Sequence, residues 1–129
     1  MDLKKQYTDF IKSKSLDLGF MSCGISKSGF LSSEADRFEN WLKNNYHGEM
    51  SYMERNFDKR LDTTKLVEDS KSVISLTYNY YPKRLLTESN SFKISKYAYG
   101  KDYHLVLKKK LKELLNIMQT KFGHFEGRV

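Results

Sequence analysis

Residues 96 to 104 read KYAYGKDYH, with Tyr97, Tyr99 and Tyr103 crowded beside Asp102, His104, two lysines and a glycine. An aspartate ahead of a helix accepts hydrogen bonds from its first free N–H groups, which accounts for Asp102. Half-buried tyrosines with wet hydroxyls account for one or two of the rings. The whole cluster needs more. A helix start carries unpaired N–H groups and partial positive charge, so it can hold polar or anionic groups. Planar rings beside it can stack on a flat ligand. The chemistry on offer is binding of a large ring system or a nucleobase, and composition does not choose between them.

A second segment, YHGEMSYMERN, sets Gly48 among His47, Met50, Tyr52 and Met53. Glycine lets a partner approach the backbone, and thioethers and rings make adaptable contacts. The plainer alternative is a helix–turn–helix with methionines in its core, which composition favours. Other chemistries lack their residues. The Gly24 to Gly29 spacing lacks the lysine and hydroxyl that a phosphate loop requires after its second glycine, where Phe30 and Leu31 stand. His47, His104 and His124 have no metal-ligand spacing, and nothing favours a Ser-His-Asp triad. Cys23 is the only cysteine, so an internal disulfide and a multi-cysteine metal site are excluded. Within the apolar run GFMSCGIS it is expected as a buried, inert thiol. No catalytic residue and no metal ligand is expected in this chain.

The elements that must position these clusters follow from periodicity. Residues 2–18 read as a helix, with Leu3, Tyr7, Phe10, Ile11 and Leu18 on one face and Gly19 as the stop. FMSCGIS reads as a buried strand. Ser33 is placed to cap a helix that presents Phe38, Trp41 and Leu42. Residues 50–56 allow a short helix. SVISLTYNY, 72–80, is the clearest strand, ended by Pro82, the sole proline. A polar loop, KRLLTESNS, and a strand over 92–97 are expected next. Asp102 then caps a helix to about Lys121, stopped by Gly123. Its buried stripe is Leu107, Leu111, Leu114, Leu115, Met118 and Phe122, and Lys108, Lys109, Lys110 and Lys112 cover much of the rest. HFEGRV opens something strand-like, so the domain reads as cut at that point.

At 129 residues the chain suits one domain with one core. A hydrophobic content of 39% with 14% aromatics argues against disorder. The formal charge of +7 attracts polyanions such as nucleic acid or anionic lipid, although interspersed acids fit an ordinary solvated lysine surface equally well. No window approaches the roughly 20 apolar residues of a membrane span, and the N-terminus is amphipathic rather than signal-like. A cytoplasmic monomer with no membrane partner is expected.

Taken in order, four segments resemble the N-terminal, DUF1730-like part of the epoxyqueuosine reductase family. LGFMSCGIS resembles its opening strand, and RFENWLKNNYHGEMSYMERNFDKRLD its long His-Gly-Glu-Met-x-Tyr-Met signature. SVISLTYNYYP is similar to the following strand, and ISKYAYGKDYHLVLKKKLKEL to its Tyr-Ala-x-Gly-x-Asp-Tyr-His block. Each alone is weak; four in register are specific. The family block usually carries arginine where this chain has Lys96, Tyr99 and Lys101. That departure puts a planar guanidinium contact in doubt at Tyr99.

The resemblance implies an α+β fold: a mixed β-sheet flanked by helices, an N-terminal domain distantly like nitroreductases and the core of reductive dehalogenases. It implies a cobalamin-dependent oxidoreductase of queuosine biosynthesis that acts on the tRNA anticodon loop carrying epoxyqueuosine. Cobalamin would be shared with a further domain, and electrons would come from two 4Fe-4S clusters. Residues 1–129 would then form the cobalamin- and substrate-facing N-terminal domain, ending before the catalytic acid and the cluster domain, and inactive alone. By motif position, Tyr97, Asp102, Tyr103 and His104 are candidate cofactor or substrate residues, with His47, Met50 and Tyr52 beside them. Three alternatives stay open: a related corrinoid reductase acting on a small molecule, a basic RNA-binding module without chemistry, and a flavin binder.

Overall fold

The structure, a computed structural model, describes residues 2–84 and 92–129. Most of the polar loop expected over 83–91 therefore lies outside the described residues. Helix α1, Leu3–Asp17, opens at Asp2, whose carboxylate accepts from the Lys4 N–H at 3.0 Å. Ile11 and Ser15 are its buried residues, and Tyr7 and Phe10 meet the Phe122 ring at 4.1 and 5.4 Å between centroids. The helix stops where Gly19 takes φ +86°, a conformation that costs glycine little.

Helix α4, Tyr103–Phe122, packs against α1. Leu114 and Met118 are buried, and Leu107, Leu111, Leu115 and Phe122 are half-buried, the apolar stripe that periodicity predicts. Lys108, Lys109 and Lys112 are exposed. Lys110 departs from the expected solvated face: its Nζ donates to the Leu18 carbonyl, satisfying an acceptor at the end of α1.

Strands β1, Ser22–Lys27, and β2, Ser72–Thr77, form the sheet. The Met21 N–H donates to Thr77 O at 2.8 Å and the Ser28 N–H to Lys71 O at 3.0 Å, so the pair is antiparallel. The α+β class holds. In place of the mixed sheet expected from the sequence, the described residues form this antiparallel pair. β1 is half-buried along alternate residues rather than enclosed, and Cys23 is half-buried with it.

Met1–Gly24, Ser75–Phe125 and Val129 bound one compact unit, and Ile25–Ile74 with Glu126–Arg128 bound the other. In the second, helix α2, Ser32–Lys43, packs on the short helix α3, Phe57–Leu61, through Phe38 and Phe57, stacked at 5.3 Å and 5°. Ser33 does not cap α2. The cap position is Leu31, without a side-chain bond, and the Ser33 hydroxyl donates to Glu34.

Three other expectations are corrected. Residues 50–56 make only a single 3-10 turn, Ser51–Met53, because Asn56 adopts φ +57° and interrupts the helix. Residues 92–97 form no strand: no ladder partner among the described residues meets them, Phe92 is 96% exposed, and the chain turns at Lys96–Ala98. Residues 123–129 carry no regular structure. Among the described residues, no helix is long and apolar enough to cross a membrane.

Candidate functional site

The tyrosine block sits at the N-terminus of α4. Asp102 Oδ1 accepts from the His104 N–H and from His104 Nδ1, both at 2.9 Å. Those two bonds, the backbone one first, hold the Asp102 carboxyl below the usual carboxylate range. The Tyr103 ring stacks on His104 at 4.0 Å, and Tyr97 meets Tyr103 edge-on at 5.8 Å. Tyr97 is 52% exposed and Tyr103 38%, so both rings stay partly open to the outside. Tyr99, the third tyrosine, lies outside this stack.

Tyr97 and Tyr103 line a cleft of about 340 Å³ together with Tyr78, Tyr80 and Leu107. The last three were not among the expected site residues. Their signal was present in LTYNYY: residues two apart in an extended chain share a side, so Tyr78 and Tyr80 face one way. The cleft is nearly all ring and aliphatic carbon. Such a surface can stack on a flat ligand.

His47, Met50 and Tyr52 belong to the other compact unit. His47 is 4% exposed, packed 5.6 Å from the Trp41 ring, with Nε2 2.7 Å from Glu54 Oε1. It is an interior residue and offers no open face. Met50 and Tyr52 are exposed and joined by a Tyr52 hydroxyl to Met50 Sδ contact of 3.4 Å. The methionine core of the plainer reading is not formed, because Met50 is outside and Met53 only half-buried. Arg60 fastens this loop by donating to the Tyr52 carbonyl at 2.9 Å. Among the described residues, no three His, Cys, Asp or Glu side chains gather as a metal site.

An aspartate-capped helix with tyrosines gathered at its start, on an α+β frame, defines a ligand-binding domain of the α+β class. A family model described as "Epoxyqueuosine reductase QueG, DUF1730" matches residues 60–129, and the chain belongs to this family. An epoxyqueuosine reductase of Cellulophaga algicola is 56% identical over 99% of this chain and 42% of the relative's own length. One from Cyclobacterium marinum is 52% identical over 100% of the chain and again 42% of the relative. The chain thus spans about two fifths of the length of these curated relatives. A solved structure, a selenomethionine-labelled epoxyqueuosine reductase, superposes on 91% of the chain with a TM-score of 0.79 at 23% identity, which bears on the fold.

Proposed function

We propose that this chain is the N-terminal, substrate- and cobalamin-facing domain of an epoxyqueuosine reductase, an oxidoreductase that completes queuosine in the anticodon loop of tRNA. The observation that carries the reading is the open aromatic cleft, to which the Tyr-Ala-x-Gly-x-Asp-Tyr-His segment whose motif marks the family contributes Tyr97 and Tyr103. Residues 1–129 are read as inactive alone, with the catalytic acid and the cluster domain elsewhere in the full-length protein.

The cleft fits one wall of a corrin site. Tyr97 and Tyr103 offer exposed ring faces for a flat macrocycle or a base to lie against, and Tyr78, Tyr80 and Leu107 close the apolar floor. At about 340 Å³ it suits a nucleobase or one edge of a macrocycle, so the opposite wall has to come from elsewhere. When bound, cobalamin supplies the reducing centre that removes the epoxide oxygen. This chain's residues bind and orient: the tyrosine faces exclude water, and Asp102 fixes the ring of His104. His47 does not fit a contact role, being buried against Trp41. Iron–sulfur clusters do not fit the residues present, since each needs several thiolates and the chain has only Cys23.

The antiparallel pair is read as part of a larger mixed sheet of the nitroreductase and reductive-dehalogenase kind, since two strands alone are marginal. The setting is the cytoplasm, and the working unit is a monomer acting on tRNA, whose phosphates suit the +7 charge. The test is conversion of epoxyqueuosine tRNA by the full-length protein with cobalamin and a low-potential reductant, followed by mass spectrometry of the nucleosides. Queuosine is the expected product. No conversion under conditions where a known reductase is active would remove the reading.

A further inference from the structure

Tyr81 directly follows the cleft residue Tyr80 but is not among the residues that line the cleft. Strand β2 ends at Thr77, and beyond it the Asn79 side chain bonds the backbone two residues on, a local turn that sets Tyr81 apart from the strand pattern. Tyr80 lines the cleft, and Tyr81, fixed by its N–H donating to Asn79 Oδ1 at 2.9 Å, is 56% exposed. The facing segment repeats the division. Tyr97 lines the cleft, and Lys96 places its Nζ 4.4 Å from the centre of the Tyr81 ring. Two adjacent residue pairs therefore serve two places: Tyr80 with Tyr97, and Tyr81 with Lys96.

The surroundings are basic. From Tyr80 to Lys101 the sequence carries Lys83, Arg84, Lys93, Lys96 and Lys101 against Glu88 alone, so this stretch is far more cationic than the chain as a whole. Exposed rings interleaved with cations are what single-stranded nucleic acid requires: each base has a face to stack and each nucleotide a phosphate to neutralise. A duplex hides its base faces, and an anionic lipid surface has no use for a fixed aromatic platform.

We propose that Tyr81 and Lys96 form a platform for one nucleotide of single-stranded RNA, its base on the Tyr81 ring and its phosphate at Lys96, beside the base held in the cleft. The proposal rests on the reading of the cleft as the modified-base site and adds the place where the neighbouring nucleotide is gripped. Lys96 also stands where the family usually has arginine, so this chain uses a point charge over the ring in place of a planar guanidinium.

The test is fluorescence anisotropy of a short, unstructured, fluorescein-labelled RNA with the full-length protein, across a salt series. Tyr81→Ala weakens binding about tenfold and Tyr81→Phe keeps it. Lys96→Gln lowers the salt slope by about one, and Lys12→Gln on α1 leaves affinity unchanged. Thermal melting of each variant checks the fold. Affinities of Tyr81→Ala and Lys96→Gln within about twofold of the unaltered protein overturn the proposal. So does equal loss for an RNA duplex, or capture by phosphatidylserine vesicles that depends on the same two residues. Tyr81-dependent RNA binding in a protein that forms no queuosine supports the platform while removing the reductase reading.

Discussion

His47 Nε2 lies 2.7 Å from Glu54 Oε1, while its Nδ1 is buried with no hydrogen-bond partner among the described residues. One nitrogen anchors the ring to a carboxylate that stays exposed; the other sits against apolar surroundings that include Trp41. Such an arrangement is structural, and it separates the two partners energetically. His47→Ala removes buried packing and is expected to cost about 2 kcal/mol in urea unfolding. Glu54→Gln keeps a hydrogen-bonding acceptor at the surface and is expected to cost under about 1 kcal/mol. His47→Phe, which removes the orphaned nitrogen and keeps a ring, is expected to fall between them. A His47→Ala variant as stable as the unaltered protein would show that the ring is not a packing element.

Ser15 is fully buried on the inner side of α1, and its hydroxyl donates to the Ile11 carbonyl at 2.8 Å. That carbonyl already belongs to the helix ladder, so the extra bond contributes little. Ser15→Ala is therefore expected to change unfolding free energy by no more than about 0.5 kcal/mol. Ser15→Leu forces extra volume into closed space and is expected to cost about 2 kcal/mol. Equal stabilities for the Ala and Leu variants would mean that the helix can shift to open room.

Much of this frame was legible in the sequence, and the losses have physical causes. Helix α4 and its Asp102 cap were plain because a long apolar stripe and a capping acid agree. SVISLT was equally plain as β2, although the strand stops at Thr77, three residues before the β-branched and aromatic pattern runs out. The strand expected over 92–97 failed because extended propensity needs a partner, which sequence does not reveal. In the site, Tyr97, Tyr103 and His104 were named by motif position, and the structure sets Tyr97 edge-on to Tyr103 and Tyr103 against His104. The contribution of Tyr78, Tyr80 and Leu107 did not follow from motif position, since it depends on how two distant segments meet. His47 was misplaced for a similar reason: beside a glycine it resembles a ligand contact, and only its packing against Trp41 shows it to be interior.

Tyr97 and Tyr103 present faces to the cleft while remaining partly exposed, so their loss should separate function from stability. In the full-length protein, Tyr103→Ala and Tyr97→Ala are each expected to lower kcat/KM for queuosine formation about tenfold, the effect of losing one aromatic stack. Melting temperatures should hardly move. Tyr103→Phe keeps the ring and should retain most activity. Unchanged kcat/KM in both alanine variants would take the cleft out of the binding site.

Asp102 gives the pH dependence. Hydrogen bonds from the His104 backbone N–H and then its ring lower the Asp102 pKa in the folded chain. A folded value below the unfolded one, about 3.9, means the charged aspartate contributes stability above that pH. The contribution fades as pH falls through the lowered folded value, where the carboxylate is protonated in both states. Asp102→Asn still offers an oxygen to the His104 N–H but carries no charge to set against the helix dipole. Melting curves should therefore show the unaltered protein above Asp102→Asn at neutral pH, with the two converging in acid. Asp102→Ala, with no acceptor, should lie below both at neutral pH. Asp62 is a built-in comparison, because the Thr64 hydroxyl and then its N–H lower that carboxyl too, and Asp62→Asn should converge in the same acid range. A constant gap between the unaltered protein and the Asp102→Asn variant from neutral pH down to about 2 would show that the carboxylate's charge does not stabilise α4.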